Sequence, residues 1–278
     1  MPRLRASIVV IGDEILGGFV TDTNSGWLAG RLQHLGIPLD RVVTVPDDVA
    51  AIGEALAAEL ARGRPRVLFT SGGIGSTPDD VTMLAVAELL GMVLRTDEEI
   101  DARITRMLED TAAHGVTISS EHERAVRRMA LVPDGAHRLN LRGLTPAMAV
   151  HIDGGVQVDE GATVVILPGI PSELQRITLE GIEPALLDGR GHPDTVEELQ
   201  HGYPESLLNP VFDRLVADYP DVHLGSYPGP VCTVRLKGRS ERVAEAMALV
   251  RDYLERLDAD PGHAALRASW AARWASRS

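Results

Sequence analysis

Thr70-Ser71-Gly72-Gly73-Ile74-Gly75-Ser76-Thr77-Pro78-Asp79-Asp80-Val81-Thr82 is the stretch whose reading decides the fold. The apolar run Val67-Leu68-Phe69 leads into it, and a helical pattern over 81–90 leads out. A strand, a glycine-rich turn and a helix start in that order offer backbone N–H groups to an anion. Three glycines let the backbone approach a ligand closely or adopt positive φ. Capping is the bland account: Thr77 as N-cap, Pro78 at N1 and Asp80 at N3 approximate a capping box, with Asp79 favouring the helix dipole. Capping alone does not call for Gly72, Gly73 and Gly75 together. The stretch lacks the lysine of a Walker A loop, which disfavours ATP-driven P-loop chemistry. A dinucleotide fingerprint would follow the first strand, where this chain has a lone Gly12.

Outward from this turn, strand and helix alternate. Residues 7–11 form a continuous apolar run, 23–35 have helical spacing, 42–45 read as a strand and 47–61 as a helix. Such alternation with short links predicts a parallel sheet with right-handed crossovers, and ligands gather at the carboxyl ends of its strands. Gly12-Asp13-Glu14 and Pro46-Asp47-Asp48 fall at those ends beside the glycine turn. One acidic pair at a helix start is ordinary capping; three acidic positions at neighbouring strand ends exceed what capping usually supplies. Asp22-Thr23-Asn24 caps the first helix, with Asn24 a candidate to face the ligand. Further on, 97–114 and 120–129 are charged helices, and 147–152 with 156–158 suit a hairpin about Asp153-Gly154-Gly155. The strand 163–167 delivers a second corner, Pro168-Gly169-Ile170-Pro171-Ser172-Glu173, where Ser172 can cap a helix running to about 187. After a linker at 188–194, a β-α-β-β-α order over 195–257 predicts a small α+β domain. A tail over 261–278 carries Trp270 and Trp274 four apart on a helix, an apolar stripe expected to dock, with a dimer partner as one place for it.

Composition narrows the function. The 278 residues carry a net charge of −13, which argues against nucleic acid or an anionic membrane as partner. A phosphate-bearing ligand then needs backbone donors, local arginine or a divalent cation. Cys232 is the one cysteine and the nine histidines are scattered, so a zinc site is disfavoured. A metal here takes oxygen ligands, hence Mg²⁺ or Mn²⁺. No Gly-x-Ser-x-Gly elbow occurs. No apolar stretch approaches a membrane span and no secretory h-region opens the chain, so a cytoplasmic protein is expected.

Gly12-Asp13-Glu14-Ile15-Leu16, Asp22-Thr23-Asn24, Asp47-Asp48, the glycine turn and the 168–173 corner together resemble the CinA proteins. More broadly they resemble the molybdopterin-binding domain shared by MoaB, Mog and gephyrin. The likeness covers roughly residues 5–187, and 195–257 look like the small KH-type domain of CinA; the CinA amidase domain is not expected here. The resemblance implies an α/β fold: a three-layer α/β/α, mostly parallel, MoaB/Mog-like domain at 1–188, a KH-type α+β domain at 194–258 and a helical tail at 261–278. It implies pyrophosphatase action on ADP-ribose in the CinA branch, and on FAD in a related domain of FAD synthase. In the MoaB/Mog branch it implies molybdopterin binding, with adenylylation of the pterin in Mog. By position, Asp47 and Asp80 match the acidic pair of Mog. Gly72, Gly73 and Gly75 match the cradle, Asp13 and Glu14 the CinA first loop, and Gly169 and Ser172 the final corner. Ile74-Gly75-Ser76 departs mildly from the family pattern.

Two functions follow as expectations. In the first, the N–H groups of residues 72–76 hold a diphosphate, with Ser76, Thr77 and Asn24 adding contacts. Asp80 with Asp13 or Asp47 holds Mg²⁺ or Mn²⁺, and Glu14 or Asp47 is the general base. In the second, the site seats molybdopterin or transfers an adenylyl group. The small second domain and the tryptophan tail suggest a homo-oligomer, a dimer or trimer.

Overall fold

The computed structural model describes residues 3–140, 142–152 and 161–275. The chain divides into two compact units, residues 1–193 and 194–278. The first contains β1 (Arg5–Ile11), α1 (Asp13–Leu16), α2 (Asn24–His34), β2 (Leu39–Val45), α3 (Val49–Leu60), β3 (Arg66–Ser71) and α4 (Thr82–Leu89). It continues through β4 (Leu94–Thr96), α5 (Glu98–Ala113), α6 (Ser120–Arg127), β5 (Leu131–Pro133), β6 (His137–Arg138), β7 (Met148–Ile152), β8 (Ala162–Leu167) and α7 (Pro171–Ile177).

A six-stranded sheet runs β2-β1-β3-β8-β7-β6. The first four strands are parallel; β7 and β6 are antiparallel additions at one edge. The two-residue period of a strand explains the layers. On β1, Ala6, Ile8 and Val10 enter one core, whereas Val9 and Ile11 enter the other. Val67 and Phe69 of β3 oppose Leu68 in the same way. Leu28 and Leu32 of α2 and Leu174 and Ile177 of α7 cover the first face. Ile52 and Leu56 of α3, Val86 of α4 and Ile100 and Ile104 of α5 cover the second. Each fully buried Leu, Ile, Val or Phe contributes about 1.5–3 kcal/mol, so both helical layers are required. The three-layer α/β expectation holds, with a mostly parallel sheet.

Two features departed from the sequence reading. The helix after the second corner is α-helical only to Ile177; residues Thr178–Leu187 form a π-helix with Pro184 inside it. Pro184 has no N–H, which removes an α-helical bond. Arg31 grips Glu183 with two bonds, Nε–Oε1 2.8 Å and a second nitrogen to Oε2 2.7 Å, and holds this stretch to α2. β4 and β5, which pair antiparallel, were not foreseen. Of the expected hairpin, the first strand is β7, and its turn and second strand fall in residues 153–160, outside the described residues.

At the end of the sheet away from the glycine turn, Arg66 is 2% exposed. It reaches Asp40 at 2.7 Å and Ser7 Oγ at 2.7 Å, and Ser7 Oγ donates to Glu59 Oε2 at 2.6 Å. Burial pushes the Asp40 carboxyl up, but hydrogen bonds from Arg5 and Arg66 outweigh it and hold it below the usual range.

The second unit contains β9 (Thr195–His201), a short 3₁₀ turn (Glu205–Leu208), α8 (Asn209–Asp218), β10 (His223–Tyr227), β11 (Cys232–Gly238), α9 (Ser240–Ala259) and α10 (Pro261–Ala275). Its sheet runs β10-β11-β9, antiparallel throughout. Val234 and Leu236 pack with Val243, Met247 and Val250 of α9. The β-α-β-β-α order matches the sequence reading. The indole N–H of Trp270 donates to Gly229 O at 3.2 Å, so this part of the tail docks on its own unit. The side chain of Trp274 lies outside the described part of the chain. Among the described residues no helix is long and apolar enough to cross a membrane.

Candidate functional site

The ends of β1 and β3 deliver the site. Gly12 N–H donates to Val45 O at 3.1 Å and Gly72 N–H to Leu167 O at 3.1 Å, so each strand stays paired up to its glycine. Gly72 has φ +110°, and a Cβ there would sit 2.2 Å from the Ile11 carbonyl oxygen. Only glycine fits that approach. Gly73 has φ +65°, and a Cβ there would meet Thr82 Oγ1 at 2.4 Å.

Thr82, fully buried, closes the loop. Its hydroxyl donates to Gly72 O at 2.9 Å and its N–H to Gly73 O at 3.0 Å. Residues 74–81 therefore form an excursion pinned at both ends. Among the described residues, the N–H groups of Gly73, Ile74, Gly75 and Ser76 donate to no protein acceptor. Four consecutive unpaired donors are available to an anion.

The capping account of Thr77 and Asp80 needs correction. α4 begins at Thr82, with Val81 as its cap and no side-chain bond there. Asp80 Oδ2 instead accepts from Thr77 N–H at 2.8 Å and from Thr77 Oγ1 at 2.5 Å, and Asp80 N–H returns to Thr77 O at 3.2 Å. This is a self-contained turn ahead of the helix. It lays the Asp80 carboxylate over Gly75, where a Cβ would be 2.7 Å from Oδ2. Asp79 is exposed, and hydrogen bonding with Thr77 and with its own backbone holds its carboxyl below the usual range. The capping account with Pro78 at N1 thus fails, whereas the helical pattern over 81–90 matches α4 to within one residue; Thr82 N–H is spent on Gly73, and the available donors belong to the loop.

Asp47 and Asp48 have separate tasks. Asp48 is the N-cap of α3, accepting from Ala51 N–H at 2.8 Å. Asp47 turns toward the glycine loop. Its Oδ2 accepts from Asp13 N–H at 2.8 Å, and its Oδ1 lies 3.4 Å from where a Cβ of Gly73 would be. Burial pushes the Asp47 carboxyl up; the Asp13 N–H opposes this, and the charges of Glu14, Asp13 and Asp79 add to the rise. Glu14 folds back over Gly12, its carboxylate 2.5 Å from the Cβ position.

The other expected residues divide. Asn24 is 7% exposed; its amide nitrogen donates to Ser71 Oγ at 3.0 Å and Gly169 O at 2.8 Å. It ties β3 to the second corner, and its Oδ1 is buried without a partner. Asp22 does the capping there, accepting from the N–H groups of Asn24 and Ser25. Gly169 approaches Gly72, with its Cβ position 3.5 Å from Gly72 Cα. Ser172 is exposed and does not cap α7; Ile170 is the cap and Pro171 opens the helix. Asp13 is grouped with Asp47, its N–H donating to Asp47 Oδ2. Among the described residues, no three His, Cys, Asp or Glu side chains could hold an ion by themselves.

On its outer side the loop borders a pocket of ≈ 200 Å³, lined by Ile74, Gly75, Asp80, Leu84, Arg128 and Leu131 among others. Thr82, Asp79 as a neighbour of Asp47, and this pocket were all missed. The Asp-Val-Thr ending of the glycine stretch was the available signal for Thr82. Nothing local signalled the pocket, which β4 and β5 close from 13 to 50 residues downstream.

Residues 7–188 match the family described as "Probable molybdopterin binding domain". The chain belongs to that family. A protein of Aeropyrum pernix is 35% identical over 263 residues, 91% of this chain and 92% of its own length. A protein of Pyrobaculum arsenaticum is 33% identical over 263 residues with the same coverage. These likenesses run beyond the molybdopterin-binding domain into the second unit. Among solved structures, the protein CinA of Thermoplasma acidophilum, described as of unknown function, is 27% identical with a TM-score of 0.51; the match covers 63% of this chain and 94% of that one.

Proposed function

We propose that the molybdopterin-binding domain of this chain is a metal-dependent pyrophosphatase that cleaves ADP-ribose-like dinucleotides. The observation that carries the reading is the run of unpaired N–H groups at Gly73, Ile74, Gly75 and Ser76 beside the carboxylate of Asp47. In a chain of net charge −13, these donors are how a diphosphate is accepted without a basic patch.

Asp47 presents Oδ1 beside the donors, with Glu14 and Asp13 as neighbours. This donor set fits an ion such as Mg²⁺ or Mn²⁺ that keeps waters and takes one or two carboxylates with phosphate oxygens, and does not fit an all-protein cage. Asp47 with Glu14 or Asp13 would hold it; Asp80 would act from the loop over Gly75. The ion, when bound, supplies charge neutralisation at the phosphoryl oxygens. The chain's own groups do the rest. The loop N–H groups bind and orient the diphosphate. With Asp47 committed to the ion, Glu14 is the candidate to take a proton from an attacking water. Asp13 N–H fixes Asp47 so that Oδ1 is the oxygen left available.

The test is incubation of the full chain with ADP-ribose, FAD or ATP and Mg²⁺ or Mn²⁺, with nucleoside monophosphate as readout. AMP released from ADP-ribose supports the reading. The second reading, molybdopterin binding or adenylyl transfer, is favoured by the family match itself. It is supported if no monophosphate forms under any metal while molybdopterin binds saturably.

A further inference from the structure

Spacing along the chain gives no sign of a histidine cluster, but the antiparallel edge of the six-stranded sheet makes one. His137 lies on β6 and His151 on β7. His137 stands opposite Ala149 in the ladder, and His151 is the next residue of β7 on the same face. Both imidazoles therefore project from one face of the sheet as diagonal neighbours, within reach of each other. Their ring centroids are 5.3 Å apart and the planes are tilted by 49°.

That separation is the one a shared ion requires. A Zn–N bond of about 2.0–2.1 Å puts each ring centroid about 3.2 Å from the ion, so two imidazoles at a tetrahedral angle stand about 5.2 Å apart. Thr163, which is buried, faces His151 across the β7–β8 ladder, and its Oγ1 is 2.9 Å from His151 Nδ1. With Nδ1–H donated to that hydroxyl, the lone pair lies on Nε2, on the other side of the ring. Metal-ligating histidines are oriented in this way, by a partner for the second ring nitrogen. His137 is exposed and His151 half-buried, so an ion reaches the pair from solvent.

From this geometry we infer that His137 and His151 chelate a divalent transition-metal ion of the zinc class, Zn²⁺, Ni²⁺ or Cu²⁺, through one nitrogen each, with water in the remaining positions. Imidazole suits these ions, whereas Mg²⁺ and Ca²⁺ take oxygen ligands. Among the described residues no third His, Cys, Asp or Glu joins the pair, so the site is an open two-ligand chelate. The ion cross-links the two-residue strand β6 to β7 and fastens this edge of the sheet. The site is separate from the glycine loop. From Thr163, opposite His151, to Leu167, whose carbonyl accepts the Gly72 N–H, β8 runs about 13 Å. The inference is independent of the pyrophosphatase reading.

The experiment titrates the full chain with Zn²⁺, Ni²⁺, Cu²⁺ and Mg²⁺ at neutral pH by calorimetry and follows the melting temperature. The histidine-dependent site should take one ion per chain, with Cu²⁺ binding more tightly than Ni²⁺ or Zn²⁺ and Mg²⁺ not binding there. His137→Gln and His151→Gln should each weaken Zn²⁺ by more than about tenfold, and Thr163→Val, which removes the orienting hydroxyl, by roughly tenfold. Zn²⁺ at about 100 times its Kd should raise the melting temperature of the wild type by about 5–11 °C and leave that of His137→Gln unmoved. Asp47→Asn should leave the Zn²⁺ response unchanged, which separates the pair from an ion at the glycine loop. His137 is exposed, so His137→Gln decides the matter if the variants of buried groups unfold. Zn²⁺ affinity within twofold of wild type in His137→Gln overturns the inference, as does a wild-type chain that does not bind Zn²⁺. A response lost in Asp47→Asn and kept in His137→Gln assigns the ion to the loop and also overturns it.

Discussion

Replacing Asp80 by Asn separates a carboxylate that holds a turn from one that serves a reaction. Asp80 Oδ2 accepts two bonds from Thr77, at 2.8 and 2.5 Å, on a turn ahead of α4. Carboxylates that accept backbone N–H groups at helix caps are worth about 1 kcal/mol. Asparagine retains an acceptor oxygen and loses only the charge assistance, so the expected cost is below about 1 kcal/mol. In a unit of 193 residues, 1 kcal/mol shifts the melting temperature by roughly 2–4 °C. Asp80→Ala, which removes the turn's acceptor, should stay within about 4 °C as well. Activity should respond on another scale: loss of a group that acts on transition-state charge costs about 10²–10³ in rate. The assay is AMP release from ADP-ribose with Mg²⁺ or Mn²⁺, normalised to folded protein by circular dichroism. A fall of more than about 8 °C in Asp80→Asn, with turnover per folded molecule intact, would show that this carboxylate serves the fold.

Gly72→Ala places a Cβ 2.2 Å from the Ile11 oxygen at φ +110° and should cost at least about 3 kcal/mol in urea unfolding; Gly18→Ala, at φ +72° with open space, should cost only about 1–2. Equal costs at the two positions would mean that the close approach of β1 and β3 is not rigid. Arg66→Met leaves Asp40 and Glu59 without their buried partner; a cost of about 3–5 kcal/mol should lower the melting temperature by about 6–20 °C, and a shift under 3 °C would refute the network's role. His151 is held below its ordinary range by burial and by the charge of His137, 5.3 Å away ring to ring. Because the folded state resists its protonation, stability should be unaffected above about pH 6.5 and should fall as pH drops from there toward the depressed folded value. His151→Gln should flatten that part of a melting-temperature profile between pH 5 and 8; an unchanged slope would assign the effect elsewhere.

The sequence was most legible where one physical pattern dominates. Residues 7–11, 67–69 and 163–167 are too apolar for anything but strands buried on both faces, and β1, β3 and β8 are those strands. Gly72 and Gly73 announced a backbone approach, and both hold positive φ. The pairing of Asp13 N–H with Asp47 was not legible, because 34 residues separate partners that meet only when β1 and β2 align. Nor could the sequence say which of two adjacent acids caps a helix; Asp48 does so, and Asp47 turns to the loop.

For this protein, local sequence by itself determined the alternation of strand and helix, the layered sheet and the position of the glycine turn, since those depend on side-chain period and on glycine's lack of a Cβ. Only the tertiary structure decided that the 77–80 turn stands apart from α4, because Thr82 is committed to Gly72 and Gly73 by contacts that no propensity scale contains. The same folding brought Arg128 and Leu131 to a pocket beside the glycine loop, by way of the β4–β5 pairing. Short-range pattern sets the elements; long-range pairing decides which carboxylates and which cation share a site.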